Sequence, residues 1–314
     1  KETLKNLNSQ EIAVYFPNRE TEGYGISETG LNYLTPHLLK GGGRAILIAL
    51  DCGVGNFKEV KLAKKMGFEV IIIDHHEILD GLPEAKIIVN PKQKGDKYLF
   101  KRFATAGIVF KLSELLLFKE PLASSRPDSR DSETQKEKRR RLSLAASVKT
   151  LATEKIAENL RKNFLELAAL ATIADMMPKE NENLEFINFG LKSLEDSWRP
   201  GIQALMRTED FNYYSNLNQK VSKIISLLNV RDVEDNLPAS FRLLDSPSLG
   251  ESKELVEKLK EKSKLRKEKI DGMVAGIEEG LEEKEAPVVF EGNSNFDFTL
   301  ISSVASIICN KYQK

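Results

Sequence analysis

Glu69-Val70-Ile71-Ile72-Ile73-Asp74-His75-His76-Glu77 changes character in a single step, from β-branched apolar residues to Asp-His-His. A continuous apolar run of strand length, followed by turn-forming residues, is the pattern of a strand buried on both faces of a parallel sheet. In an open α/β sheet, ligands bind outside the carboxyl ends of the strands. Asp74, His75 and His76 therefore stand where a site would be. Two imidazoles and a carboxylate suit Mn, Fe or Zn. A solvated polar turn after a strand has the same composition, and these residues alone do not separate the two readings.

The run upstream has the same form. Arg44-Ala45-Ile46-Leu47-Ile48-Ala49-Leu50 is apolar and also ends on a carboxylate, Asp51. Between the two runs a helix is expected. Asn56 is placed as its N-cap, with Glu59 at N3 in a capping box. Val60, Ala63 and Met66 lie on its inner face, and Gly67 stops it. Strand, helix and strand joined by a right-handed crossover make the strands parallel. Both carboxyl ends then share one sheet edge, with Asp51 and His75 one strand spacing apart, about 5 Å at the backbone. A metal ion spans that distance.

The chain of 314 residues has room for two domains, each with its own core. Its formal net charge is zero, so any nucleic-acid surface must come from local clustering. Two cysteines, Cys52 and Cys309, imply no disulfide framework and a reducing compartment. No apolar run approaches transmembrane length and no signal peptide opens the sequence, so a cytoplasmic protein without a membrane partner is expected.

Further elements follow from periodicity. Ile12–Phe16 is expected as a strand, and Ser27 as the cap of a helix over Glu28–Leu34. A helix over Phe103–Phe118 carries Ile108, Val109, Leu112, Leu115 and Leu116 on one face. Pro121–Arg141 has almost no large apolar residue and closes on Lys136-Glu137-Lys138-Arg139-Arg140-Arg141, as a solvated loop or a nucleic-acid contact would. Phe164–Ala174 is an apolar helix that ends on Asp175 before Met176-Met177-Pro178, and Glu182–Leu194 is another. A carboxylate at a helix C-terminus opposes the dipole, and a cation would relieve it; an Asp in a helix-ending turn is also common. Glu251–Leu281 is long, charged and sparsely apolar, and is expected as a solvated connector. Pro287–Phe290 begins a new strand and Leu300–Tyr312 a helix.

Several of these residues, in order, resemble the DHH phosphoesterases, and among them the RecJ single-strand DNA exonucleases. They are Pro17-Asn18-Arg19 with Glu22-Gly23-Tyr24-Gly25, Asp51-Cys52-Gly53, Asp74-His75-His76, Leu82-Pro83 with Ile88-Val89-Asn90-Pro91-Lys92, and Ala171-Thr172-Ile173-Ala174-Asp175. The resemblance runs from about residue 12 to the C-terminus, broken by one insertion. It implies an α/β fold with a parallel sheet flanked by helices, a long connecting helix, and the start of a second α/β domain. The domains would be 1–247 for the phosphoesterase core (with a basic loop inserted at 120–160), 248–284 for the connector, and 285–314 for the opening of the DHH-associated domain.

The resemblance also implies roles. Asp51, Asp74, His75, His76 and Asp175 would be catalytic. Asp51, His75 and Asp175 would hold Mn²⁺ or Mg²⁺ in a two-metal site, with Asp51 bridging, His76 on the scissile phosphate and Asp74 orienting a histidine. Arg19 would meet a phosphate and Tyr24 would stack on a base. Leu228-Asn229-Val230-Arg231 resembles a family loop but lacks its Ala-Gly portion, so Asn229 and Arg231 carry over as substrate contacts in an altered geometry. The family's first motif, Asp-x-Asp-Gly, has no counterpart in Lys1–Gln10, and the C-terminal Gly-Gly-His motif is not reached. Truncation at both ends, with one metal site mostly present and the other mostly absent, is the expectation, together with impaired turnover. The implied activity is metal-dependent 5′→3′ digestion of single-stranded DNA in repair and recombination, with a single-strand-binding protein or helicase as partner. Its rivals are a phosphodiesterase for short oligonucleotides or cyclic dinucleotides, and an inactive DNA-binding scaffold.

Overall fold

A computed structural model describes residues 1–7, 9, 11–19, 21–40, 42, 44–117, 158–208, 216–281 and 296–312. The basic insertion and the strand expected over Pro287–Phe290 lie outside the described residues. A short helix α1 (Glu2–Asn6) precedes α2 (Glu28–Lys40), which Ser27 caps as expected, its Oγ accepting from Gly30 N–H at 2.9 Å. Strands β1 (Ala45–Leu50) and β2 (Phe68–Ile73) flank α3 (Phe57–Met66), and β3 (Ile87–Val89) completes a parallel sheet in the order β1-β2-β3. The third strand is too short for its periodicity to register in the sequence.

The β2 side chains alternate between two cores, as the pleat requires. Val70 and Ile72 face α2 and α3, packing with Leu31, Leu38, Val60 and Ala63. Ile71 and Ile73 face the opposite layer, with Ile108 and Phe110 of α4 (Thr105–Leu117), Phe164 and Leu165 of α5 (158–174) and Phe186 of α6 (Asn181–Glu195). Helices therefore cover both faces, and the hydrophobic β2 run is explained.

A second, all-helical core joins α5 and α6 to α7 (Pro200–Met206), α8 (Leu217–Leu228), α9 (Ala239–Asp245) and the first half of α10 (Leu249–Leu281). A two-residue hairpin pair, β4 (Val233–Glu234) and β5 (Leu237–Pro238), sits before α9. The far half of α10 makes a small separate cluster, Ile270 with Leu300, Val304 and Ile308, the last two on α11 (Ile301–Tyr312).

Three expectations are corrected. Ile12–Phe16 is not a strand; Phe16 N–H donates to Asn236 O at 3.3 Å, so the segment runs past the β4–β5 turn rather than along the sheet. Asn56 is the N-cap of α3 but makes no side-chain cap, because its amide is spent on Ile26 and Glu59 instead. The connector is not solvated throughout, since Val256 and Leu259 are 0 % exposed. The apolar positions of its first half are few, but they enter a core built by five other helices.

Candidate metal centre

β1 and β2 end in register. Leu50 pairs with Ile73, and the ladder continues as Asp51 N–H donates to Ile73 O (3.0 Å) and Asp74 N–H to Val89 O (3.1 Å). Asp51 has φ +62°, in the left-handed region that Asp and Asn tolerate better than other side chains. Such backbone strain concentrates at functional sites. The turn it begins is close to β2, because a Cβ on Gly53 (φ +115°) would stand 3.1 Å from the Ile72 side chain.

His75 is nearly buried. Its Nδ1 lies 2.9 Å from the Phe103 carbonyl, an arrangement in which Nδ1–H donates. Nε2 is then the lone-pair nitrogen of the neutral ring, and it faces Asp51 Oδ1 at 3.5 Å. Two acceptors turned toward one another leave a place for a cation.

Asp74, fully buried, does not point at that place. Its Oδ1 accepts from His75 N–H (2.8 Å), His76 N–H (3.2 Å) and His76 Nδ1 (2.6 Å), and its Oδ2 from Val54 N–H (3.3 Å). Burial works against its charge, but the His76 ring and the backbone donors outweigh it and hold the carboxyl below the usual range. The fixed His76 ring keeps Nε2 outward, and its side chain is more than half exposed. Ligand atoms of Asp51, His75 and His76 all lie within 4.8 Å of one another.

Asp175 closes α5. Met177 N–H donates to Thr172 O (3.0 Å) and Met176 N–H to Ile173 O (3.1 Å), with Met176 at φ +51°, a Schellman-type end with methionine where glycine is usual. Burial, then the charge of Asp51, push the Asp175 carboxyl above its ordinary range, while His75 and His76 act the other way. Asp175 is thus within the field of the cluster without being one of its three mutually close ligand atoms. Burial, with Asp74 and Asp51, pushes the thiol of Cys52, the neighbour of Asp51, up to about 11.

A family model described as DHH family, N-terminal domain, matches residues 1–172. The chain belongs to the DHH family. The single-stranded-DNA-specific exonuclease RecJ of Bacillus subtilis is 27% identical, the match spanning 99% of this chain and 34% of that protein. The protein of the same name from Escherichia coli is 25% identical over 86% of this chain and 42% of its own length. The chain thus covers less than half the length of these curated relatives. Among solved structures, exonuclease RecJ bound to manganese aligns with TM-score 0.71 at 21% identity, covering 100% of this chain and 69% of that one. RecJ from Thermus thermophilus in complex with Mn²⁺ aligns with TM-score 0.61 at 20% identity, covering 89% and 36%. These structural likenesses show that the fold is shared.

Within this DHH core, the 17–27 loop is built around Glu22. Its carboxylate accepts from Asn18 N–H (2.9 Å), Tyr15 OH (2.8 Å) and Ser27 Oγ (2.5 Å). Asn56 then ties the loop to the segment that follows Asp51, its Oδ1 accepting from Ile26 N–H at 3.2 Å. Gly25, at φ +97°, is required there, since a Cβ would fall 2.2 Å from Asn56 Oδ1. Arg19 and Tyr24 come together on this loop, the guanidinium 5.0 Å from the ring centroid, and Tyr24 is 75% exposed.

Asn229 is the C-cap of α8, and Arg231 precedes the β4–β5 hairpin, close enough to Asp297 to add a little to the Thr299 hydrogen bonds that hold that carboxyl down. Two supports have no role assigned to them in the sequence reading. The Phe103 carbonyl orients His75, and a carbonyl has no sequence signature. Asn90, fully buried, donates to His76 O (2.9 Å) and accepts from Lys92 N–H (2.8 Å). A polar residue directly after an apolar run was the available signal.

Proposed function

We propose that this chain is the catalytic core of a metal-dependent nuclease that hydrolyses phosphodiester bonds of single-stranded DNA. The observation that carries the reading is the His75–Asp51 pair, with Nδ1 engaged by a carbonyl and Nε2 facing a carboxylate oxygen at 3.5 Å. Asp51, His75 and Asp175 would hold a Mn²⁺ or Mg²⁺ ion; carboxylate and imidazole donors fit such a cation. A bound ion would supply an activated water and neutralise phosphate oxygens.

The protein's own groups do the rest. The Phe103 carbonyl holds His75 in one tautomer, as supporting partners of metal-binding histidines do. Asp74 keeps His76 Nε2 outward, toward a phosphate oxygen of the bound strand. The Asp175 carboxyl is raised first by burial and then by the charge of Asp51, and a cation between the two would relieve the second. Arg19 offers a cation for a backbone phosphate, and Tyr24 an exposed face for a base. A duplex does not present unstacked bases to such a face, which supports the single-strand preference. The 5′→3′ direction and a setting in repair and recombination extend this reading from the RecJ resemblance.

The test pairs Mn²⁺ titration calorimetry with digestion of a labelled single strand and its duplex. Expected are a Mn²⁺ site abolished by His75→Ala, and hydrolysis of the single strand only in Mn²⁺ or Mg²⁺. Absence of Mn²⁺ binding, equal digestion of the duplex, or digestion in chelator would overturn the proposal.

A further inference from the structure

Asn183 is fully buried in the first turn of α6, yet its side chain does not cap the helix. Its Nδ2 donates to two backbone carbonyls of other segments, Arg102 O at 2.7 Å and Pro178 O at 3.0 Å. Both partners are acceptors, so the amide has one sensible orientation; reversed, Oδ1 would face two carbonyl oxygens. As placed, Oδ1 has no hydrogen-bond partner. A buried polar atom left this way costs on the order of 1–3 kcal/mol, and the two donations are what offset it.

The two carbonyls are not arbitrary. Arg102 directly precedes Phe103, whose own carbonyl receives His75 Nδ1 at 2.9 Å. Pro178 stands three residues after Asp175, in the segment that leaves the end of α5. One side chain therefore joins the backbone that orients His75 to the backbone that carries Asp175. These come from opposite parts of the sequence and share no strand. The surrounding contacts converge on the same seam. Arg102 pairs with Glu180, Glu182 receives Tyr98 OH at 2.7 Å and pairs with Lys111, and Phe186 packs on Phe103 with ring centroids 5.9 Å apart. The Arg102–Glu180 pair is exposed and contributes little positional restraint, and that of Lys111 with Glu182 is only half-buried. Asn183 is the buried, directional member.

We infer that Asn183 is a positioning residue for the metal centre: it sets the distance between the His75 support and Asp175 by clamping the Arg102 and Pro178 carbonyls. This rests on the reading of His75 and Asp175 as ligands. Loss of its two donors releases both segments, so the His75 ring loses its fixed Nδ1–H partner and Asp175 drifts from Asp51. Changes to groups that support a metal ligand typically cost about 10–100-fold in affinity, and a residue acting on two ligands at once belongs in that range.

The experiment uses Asn183→Leu, close in volume and without donors, and Asn183→Asp, close in shape and acceptor-only. Val221→Ala, in the helical core away from the site, is the control, chosen to match the loss in melting temperature. The first readout needs no metal. The chain has only three histidines, so ¹⁵N imidazole spectra of the metal-free protein can assign each ring; His75 should show a single Nδ1–H tautomer in the parent and in Val221→Ala, and averaged tautomers in both Asn183 variants. The second is Mn²⁺ affinity by electron paramagnetic resonance, expected to fall at least tenfold in the Asn183 variants and less than twofold in the control. An unchanged His75 tautomer in folded Asn183→Leu, or equal Mn²⁺ losses in that variant and the control, overturns the inference. If the parent binds no Mn²⁺ while the tautomer shift is seen, the metal reading has failed and the positioning role stands.

Discussion

Replacing glycine by alanine inside two different helices should change stability in opposite directions. Gly190 lies within α6, where a Cβ would stand 2.3 Å from Leu165 O, 2.5 Å from Ala169 Cβ and 2.9 Å from Leu165 C, all on α5. The nearest neighbours are a carbonyl, its carbon and a Cβ on a helix, none of which can swing away. Ordinary carbon contacts are about 3.5–4.0 Å, so α5 and α6 must separate by roughly 1 Å. Overpacking of that kind costs about 1–3 kcal/mol, against a helix-propensity gain of about 1 kcal/mol. Gly190→Ala should therefore destabilise by up to about 2 kcal/mol.

Gly272 in α10 has nothing within 4 Å of its Cβ position. Only the propensity term acts there, and Gly272→Ala should stabilise locally by up to about 1 kcal/mol. Urea unfolding at 25 °C, followed by far-ultraviolet circular dichroism, gives both values. A Gly190→Ala protein as stable as the parent or more so would refute the close α5–α6 approach. Because Ala169 lies six residues before Asp175 on the displaced helix, Mn²⁺ affinity should weaken in the same variant.

Three further outcomes are expected. Asp51→Asn keeps the left-handed backbone that Asn tolerates, so the metal-free melting temperature should stay within a few degrees while Mn²⁺ affinity falls by more than the roughly 10–100-fold seen when a supporting group is lost; parent-like affinity by calorimetry would remove Asp51 from the ligand set. Tyr24→Ala should weaken binding of a short single strand by about 1–3 kcal/mol and leave duplex affinity unchanged, as fluorescence anisotropy with both probes can check. Glu166, fully buried beside Arg199 (2.8 Å), has its carboxyl pushed up to about 7, chiefly by burial, while Arg199 divides its charge with Glu2. Since this folded-state value lies above the unfolded one, the group's contribution to stability is complete below about 4.5 and is lost as pH rises through about 7. Urea midpoints from pH 5 to pH 8 should fall in the parent and lose that component in Glu166→Gln; identical slopes would contradict it.

Local sequence carried the β1–α3–β2 unit because each of its decisions is local: two apolar runs, a helix start at Asn56, a stop at Gly67. The pairing of Asp51 with His75 followed from chain direction alone. What failed depends on distant segments. Ile12–Phe16 has strand composition, but the position beside β1 is not where the chain takes it. The Asn56 side chain is a good cap in isolation, and Ile26, thirty residues away, offers it stronger work. The half-buried state of α10 is set by helices α5 to α9, whose faces no single window of the sequence contains. At the site, side chains were legible and their supports were not. Phe103 and Val54 act through backbone atoms, and Asn183 donates to two others, the Arg102 and Pro178 carbonyls.

α10 is a single helix of 33 residues, about 50 Å from end to end. Its first half is locked by Val256 and Leu259 into the core that also holds α5; among the described residues, its far half packs in the small cluster with α11. A rod gripped at one end is a lever. From Leu259 to Ile277 the arm is roughly 27 Å, so a rotation of about 10° at the grip sweeps the tip through about 5 Å. A turn of that size at the grip would therefore displace α11 by several ångströms while shifting the core that α10 shares with α5 far less.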